Sequence, residues 1–172
     1  MKISVISPTV RPNLMGIVAS SLKKQTFKDW EWLVGSPPKL EQELKKEIKI
    51  DFTFVPEPPP KPGDYYGLNK CFNEMFRQAK GELIVNIVDG IWIPPDCLEK
   101  LWFHYQNNPK SCISCLGHQY RKVVDGKPEE LVWRDPRART DQGTFYEVGH
   151  LEMELCVASI PKQAIWEVGG ID

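Results

Sequence analysis

The side chains best suited to chemistry in this sequence come directly after short apolar runs. Asp89 follows the run at 82–88, Thr9 and Arg11 follow the run at 2–7, and Ser36 follows the run at 30–34. Carboxylate, hydroxyl and guanidinium groups bind ligands at the ends of strands, but they also hold turns in place. Asp89 is therefore interpreted either as a ligand-binding residue or as the cap of the turn to Gly90.

The pattern of elements decides whether these residues meet. Apolar and β-branched runs predict strands at 2–7, 30–34, 52–55 and 82–88, and helical spacing predicts helices at 12–25, 40–48, 65–79 and 96–107. Asp64 is the predicted N-cap of the third helix. The segments 112–124 and 130–133 flank Asp125-Gly126 and predict a β-hairpin.

Alternating strands and helices followed by antiparallel material indicate an α/β fold. The predicted sheet is mostly parallel, and the strands that begin near Lys2, Trp30 and Glu82 are expected to be neighbours. Ligands of such sheets bind outside the carboxyl ends of the strands. The residues to examine are therefore those at 8–11 and 35–36 and those from Asp89 onward.

Several ordered motifs resemble those of family-two GT-A glycosyltransferases. They are ISVISPTVRP at 3–12, SSL at 20–22 with QTF at 25–27 and WEWLV at 30–34, LNK at 68–70 with AKGE at 79–82, VD at 88–89 with IPPD at 93–96, and SIP at 159–161 with VGGID at 168–172. The resemblance implies a GT-A, Rossmann-like twisted sheet flanked by helices, with an antiparallel extension after residue 110. It implies a single domain over 1–172, with a donor-binding half at 1–107 and an incomplete acceptor-side half at 108–172.

The resemblance also implies a reaction. A nucleotide diphosphate sugar binds at the carboxyl edge, and its sugar passes with inversion to an acceptor hydroxyl that a carboxylate base deprotonates. Mg or Mn, held by the carboxylates of a DxD motif, neutralises the diphosphate. The matching donor-binding residues here are Pro8, Thr9, Arg11, Ser36, Tyr66, Asn69 and Asp89, and the metal ligand is Asp89.

Three departures from the family pattern bear on activity. The DxD position reads Asp89-Gly90-Ile91, so one carboxylate remains, and Val34-Gly35-Ser36 replaces the acidic stretch after the second strand. The family's base lies beyond the segment at 168–172, so these 172 residues are expected to transfer sugar poorly. Glu152 and Glu154 are nearby acids that no motif assigns as the base.

Some candidates keep an alternative interpretation. One of Tyr65 and Tyr66 could stack on a base, and Asn69 is suited to hydrogen bonding on a helix face. Arg134, Arg137 and Arg139 form a basic cluster that either is solvated or binds diphosphate or an anionic acceptor. A non-catalytic nucleotide- or glycan-binding or assembly module on the same fold is the second functional hypothesis. The protein partner expected for the chain is a second copy of itself or a completing subunit. A nucleotidyltransferase ranks last, because the loop at 8–12 is not glycine-rich.

Length, charge and cysteine content bear on other functional classes and on the compartment of the protein. The chain has 172 residues, a net charge of −1 and mixed acidic and basic residues, which does not indicate nucleic-acid binding. The apolar start at 3–6 is too short for a signal peptide or a membrane span. Five scattered cysteines favour a reducing compartment, and the cytoplasm is the expected location.

Overall fold

A computed structural model describes residues 1–59, 67–125, 127–137 and 154–171 of the chain. The strands are β1 (Ile3–Pro8), β2 (Trp30–Ser36), β3 (Thr53–Pro56), β4 (Leu83–Ile87), β5 (Ile113–Ser114), β6 (His118–Val124), β7 (Lys127–Arg134) and β8 (Val157–Pro161). The helices are α1 (Met15–Lys23), α2 (Glu41–Glu47), α3 (Leu68–Gln78), α4 (Cys97–Asn107) and α5 (Lys162–Glu167). Short 3-10 turns, Pro12–Leu14 and Pro38–Leu40, lead into α1 and α2.

Six strands form one sheet in the order β3-β2-β1-β4-β8-β5. The first four are parallel, while β8 runs antiparallel to both β4 and β5. The strand β1 lies between β2 and β4, which confirms the predicted parallel neighbours. The hairpin β6–β7 forms a separate two-stranded sheet. The predicted mostly parallel sheet with an antiparallel extension is therefore confirmed.

Alternate residues of the parallel strands face two apolar layers, as the two-residue period of a strand requires. Ile3, Val5, Leu83 and Val85 pack into one layer with α1, α2 and α4. The other layer, which includes Ile84, packs against α3 and α5. Because helices cover both faces, β4 is buried along its whole length. This double burial explains why its sequence is apolar almost throughout.

Two predicted boundaries differ from the structure. The third helix begins at Leu68 after Gly67, rather than at position 65, and Asp64 and Tyr65 lie outside the described residues. The strand predicted at 112–124 is two strands: Ile113–Ser114 pairs with β8, while His118–Val124 pairs with β7. Apolar pattern alone did not separate them, because both pieces are extended. In the described part of the chain, no helix is long and apolar enough to cross a membrane.

Candidate functional site

Backbone hydrogen bonds join the carboxyl ends of the parallel strands. Pro8 is paired with Gly35, and the Thr9 N–H donates to the Gly35 carbonyl oxygen at 2.9 Å. The Ser36 carbonyl oxygen accepts from the Glu57 N–H at 2.8 Å. The loops that follow β1, β2 and β3 therefore begin at one edge of the sheet, where ligands of such sheets bind. The strand β4 is parallel to β1, so its following loop begins at the same edge.

The carboxylate of Asp89 is the centre of a charged cluster at this edge. Its Oδ2 accepts from the Thr9 hydroxyl at 2.7 Å and from Arg11 Nε at 3.1 Å. Its Oδ1 accepts from Arg11 Nη2. The Thr9 Oγ1 in turn accepts from the Arg11 backbone N–H at 2.9 Å. We call these three residues the Asp89 cluster.

The two charges of the cluster differ greatly in exposure. The Asp89 side chain is 6% exposed, whereas the Arg11 side chain is 62% exposed. The carboxylate raises the pKa of the Arg11 guanidinium above its ordinary value, chiefly through their hydrogen bonds. Asp89 thus lies beneath the surface, and the cation that it orients faces solvent.

Local sequence fixes Asp89 at the strand end. Ser7 Oγ, which accepts from Trp32 Nε1 at 3.0 Å, donates to the Ile87 carbonyl oxygen at 2.6 Å and ties β1 to β4. Gly90 has a φ of 75°, a left-handed conformation that glycine adopts without the steric cost of a Cβ. The chain therefore turns immediately after Asp89.

The arrangement around Asp89 does not fit a metal ion. Both carboxylate oxygens accept hydrogen bonds from Arg11, so a cation would have to displace a guanidinium of the same sign. Ile91, at the second DxD position, is an apolar residue that packs against the core. The described residues contain no group of three or more His, Cys, Asp or Glu side chains that could hold a metal. The metal role of Asp89 stays a prediction that this geometry disfavours.

The other predicted donor-binding residues vary in position. Pro8 is half-buried at the end of β1, and Asn69 is exposed in the first turn of α3. Ser36 is 1% exposed, and its hydroxyl has no hydrogen-bond partner among the described residues. Tyr66 lies outside the described residues. The structure thus brings Thr9, Arg11 and Asp89 into contact and leaves the other four roles as predictions.

A second charged network lies beside the start of β8. Arg137 donates to both Asp135 oxygens, at 3.0 and 2.7 Å, and also to Glu154. The pKa of Asp135 is lowered, chiefly by the Arg137 side-chain hydrogen bond. Because β8 is antiparallel to β4, with Val157 opposite Ile87, this network belongs to the same edge of the sheet as Asp89.

This second network changes how two sequence candidates are interpreted. Glu154 is paired with Arg137, so it is not a free base, and the partly exposed Arg137 guanidinium pairs with two carboxylates. Asp135 was not predicted as a member of this network. Its position between Arg134 and Arg137 was the one sequence feature that pointed to it. Arg139 and Glu152 lie outside the described residues.

One residue of the resembling motifs has a structural role. Gln25 is fully buried, and its Nε2 donates to the Pro94 carbonyl oxygen at 2.8 Å. Its Oε1 accepts from the Leu98 N–H at 3.0 Å, in the first turn of α4. Gln25 therefore joins the end of α1 to the beginning of α4, the helix that follows the Asp89 loop.

No model of a known protein family matches the chain, and no curated protein matches it. Solved structures do. The chain is similar to a 1–349 fragment of TarS from S. aureus, with a TM-score of 0.59 and 17% identity over 98% of this chain and 49% of that one. TarS has also been solved in complex with UDP-GlcNAc, and that structure matches with a TM-score of 0.55 and 16% identity, over 98% of this chain and 47% of that one.

A mannosyltransferase from Pyrobaculum calidifontis, solved with GDP-Man and Mn²⁺, matches with a TM-score of 0.64 and 14% identity. That match covers 98% of this chain and 47% of the other, so the chain spans about half the length of these structures. Both proteins are GT-A-type glycosyltransferases. At these identities the likeness concerns the fold, and the chain has a GT-A-like fold.

Proposed function

We propose that this chain is the nucleotide-sugar-binding part of a glycosyltransferase. In this proposal a nucleotide diphosphate sugar binds at the carboxyl edge, bordered by Thr9, Ser36, Tyr66 and Asp89, and its sugar is transferred with inversion to an acceptor hydroxyl. Pro8, Arg11 and Asn69 complete the proposed donor site. The family-two assignment is part of the proposal.

One observation carries the proposal: the Asp89 cluster lies at the ligand-binding edge of a GT-A-like sheet. Exposed N–H donors of an arginine at such an edge suit phosphate oxygens, which accept charge-assisted hydrogen bonds. The fold-level likeness to enzymes solved with UDP-GlcNAc and with GDP-Man is consistent with this ligand class. Fold alone does not establish function, so the site itself has to be tested.

A non-catalytic binding module is the second candidate, and a specific observation favours it. At this edge Asp89 is paired with Arg11, both Asp135 and Glu154 are paired with Arg137, and Glu57 accepts a hydrogen bond from the Gly67 N–H. An inverting transferase needs a carboxylate that accepts a proton from the acceptor, and a carboxylate held by a guanidinium is a weaker base. Whether the protein consumes the bound donor decides between a transferase and a binding module.

Thermal denaturation with UDP-, GDP-, dTDP- and CDP-sugars tests the proposal, because a ligand of the native state raises the melting temperature. We expect the donor with one particular nucleobase to stabilise the protein selectively, by about 2–3 kcal/mol when the donor concentration is about 100 times the Kd. Absence of stabilisation by every donor, in EDTA and in Mn²⁺, would contradict the proposal. Release of nucleoside diphosphate from the selected donor then separates a transferase from a binding module.

A further inference from the structure

Arg11 presents an oriented cation at the proposed donor edge. A guanidinium carries five N–H donors in a planar fork, and Asp89 takes only one from Nε and one from Nη2. The Arg11 side chain is 62% exposed, so its remaining donors can reach a ligand. Because the carboxylate already fixes the plane of the fork, little side-chain freedom is lost on binding.

Arg137 is the other arginine at this edge, but its surroundings disfavour it as the group that binds a diphosphate. Arg137 contacts two carboxylates, Asp135 and Glu154, so the charge of its guanidinium is already offset by these partners. The Asp89 cluster has a net charge of zero, and its negative partner is buried beneath its positive one. A diphosphate approaching from solvent therefore meets the guanidinium first.

We propose that Arg11 binds the diphosphate of the donor in place of a divalent cation, so that donor binding needs no metal. The inference rests on the proposed function and deepens it. It follows from the geometry of Asp89. Both of its carboxylate oxygens, which would bind a metal ion, already accept hydrogen bonds from Arg11. Asp89 and Thr9 are then positioning residues: they orient Arg11 and do not contact the diphosphate.

The test is isothermal titration with UDP, GDP, CDP and dTDP, each compared with its nucleoside, in EDTA and in Mn²⁺. We expect the preferred nucleoside diphosphate to bind equally well in both buffers. In Arg11→Ala its affinity should fall about 10-fold to 100-fold, as expected for loss of hydrogen bonds to a charged group. The affinity for the nucleoside should not change, because Arg11 contacts only the diphosphate.

Two further variants control for stability and for charge. Arg11→Ala leaves the buried Asp89 carboxylate without its cation, so the double variant Arg11→Ala with Asp89→Asn removes that unpaired charge. It should lose diphosphate affinity to a similar extent. Arg77→Ala makes the same charge change at a similarly exposed arginine near the end of α3, before the amino end of β4, and should bind like the parent protein.

The outcomes separate this inference from the function on which it rests. Binding that requires Mn²⁺, or an unchanged affinity in both Arg11 variants, overturns the role of Arg11 and leaves the proposed function standing. An equal loss of nucleoside and diphosphate affinity in both Arg11 variants indicates a general structural effect and also overturns the inference. If no nucleoside diphosphate binds in either buffer, both proposals fall.

Discussion

The buried amide of Gln25 lets one side chain satisfy two helix ends. Its Nε2 donates to the carbonyl oxygens of Ser21 and Pro94, at 3.2 and 2.8 Å, and its Oε1 accepts from the Leu98 N–H. The last turn of a helix leaves carbonyl groups without helical partners, and the first turn leaves N–H groups. Gln25 supplies hydrogen bonds to both, and those to Ser21 and Leu98 are buried.

We predict that Gln25→Leu lowers the free energy of unfolding by about 2 kcal/mol or more. The substitution leaves the buried Leu98 N–H without its partner, which costs about 1–3 kcal/mol, and it also removes the hydrogen bonds to the Ser21 and Pro94 carbonyls. Urea denaturation measures the change. Gln78→Leu, at an exposed position on α3, should change it by less than about 0.5 kcal/mol. Equal effects of the two substitutions would contradict the assigned role.

Asp135 makes stability depend on pH through its contact with Arg137. Arg137 lowers the pKa of Asp135 in the folded state, so the ionised carboxylate favours folding. This stabilisation is fully present above the unfolded pKa, about 4, and is lost as the pH falls through the lower folded value. Among the described residues, Arg137 and His118 contact Asp135, and Glu154 shares the Arg137 guanidinium with it.

We predict that the melting temperature of the parent protein exceeds that of Asp135→Asn by a constant amount above about pH 5. The difference should shrink steadily as the pH is lowered below about 4. Differential scanning calorimetry from pH 7 downward measures it, with Asp51→Asn as an exposed control. A difference that persists unchanged to about pH 2 would show that the ion pair with Arg137 does not stabilise the fold.

At the scale of elements, Gly35 sets how closely α3 approaches β2. A Cβ added at Gly35 would lie 2.4 Å from Cys71 Sγ and 2.9 Å from Met75 Sδ, both on α3. The Gly35 carbonyl oxygen also accepts the hydrogen bond from the Thr9 N–H that joins β1 to β2 at the carboxyl edge. Helix packing and site geometry therefore depend on the same glycine.

We predict that Gly35→Ala destabilises the protein by about 1–3 kcal/mol, because it overpacks a buried interface. Cys71→Ala removes the closest sulfur, so the double variant should be more stable than the sum of the single effects predicts. Urea denaturation of all four proteins completes the cycle. Gly117→Ala, where an added Cβ meets no atom within 4 Å, is the control. Additive effects would show that the α3–β2 contact is not the cause.

The sequence predicted most elements because their patterns are local. The double burial of β4 could be predicted from its apolar run, and the break at Pro8 marked the end of β1. The split of the segment at 112–124 could not, since strand pairing with the distant β8 decides which residues join the main sheet.

The same limit explains what was missed at the site. Asp89, Thr9 and Arg11 could be predicted to share an edge, because parallel strands end together. That Arg11 would occupy both oxygens of Asp89 could not be predicted, since the two residues are 78 positions apart and the bond depends on side-chain geometry. Asp135 was missed because no sequence motif indicates its contact with Arg137.

At the scale of the whole molecule, the sheet offers two edges to a ligand. The Asp89 cluster lies at the carboxyl edge. A cavity of about 660 Å³, lined in part by Glu82, Lys162 and Trp166, lies at the amino edge. Glu82 precedes β4 and Lys162 follows the antiparallel β8, which places this cavity away from Asp89. The proposed function requires the donor to bind at the carboxyl edge.

A crystal structure with the nucleoside diphosphate selected by titration is the decisive test of this placement. We expect electron density for the nucleotide at the carboxyl edge, with phosphate oxygens about 2.7–3.2 Å from Arg11 Nη1 or Nη2 and no metal between them and Asp89. Nucleotide in the cavity beside Glu82, Lys162 and Trp166 would contradict it.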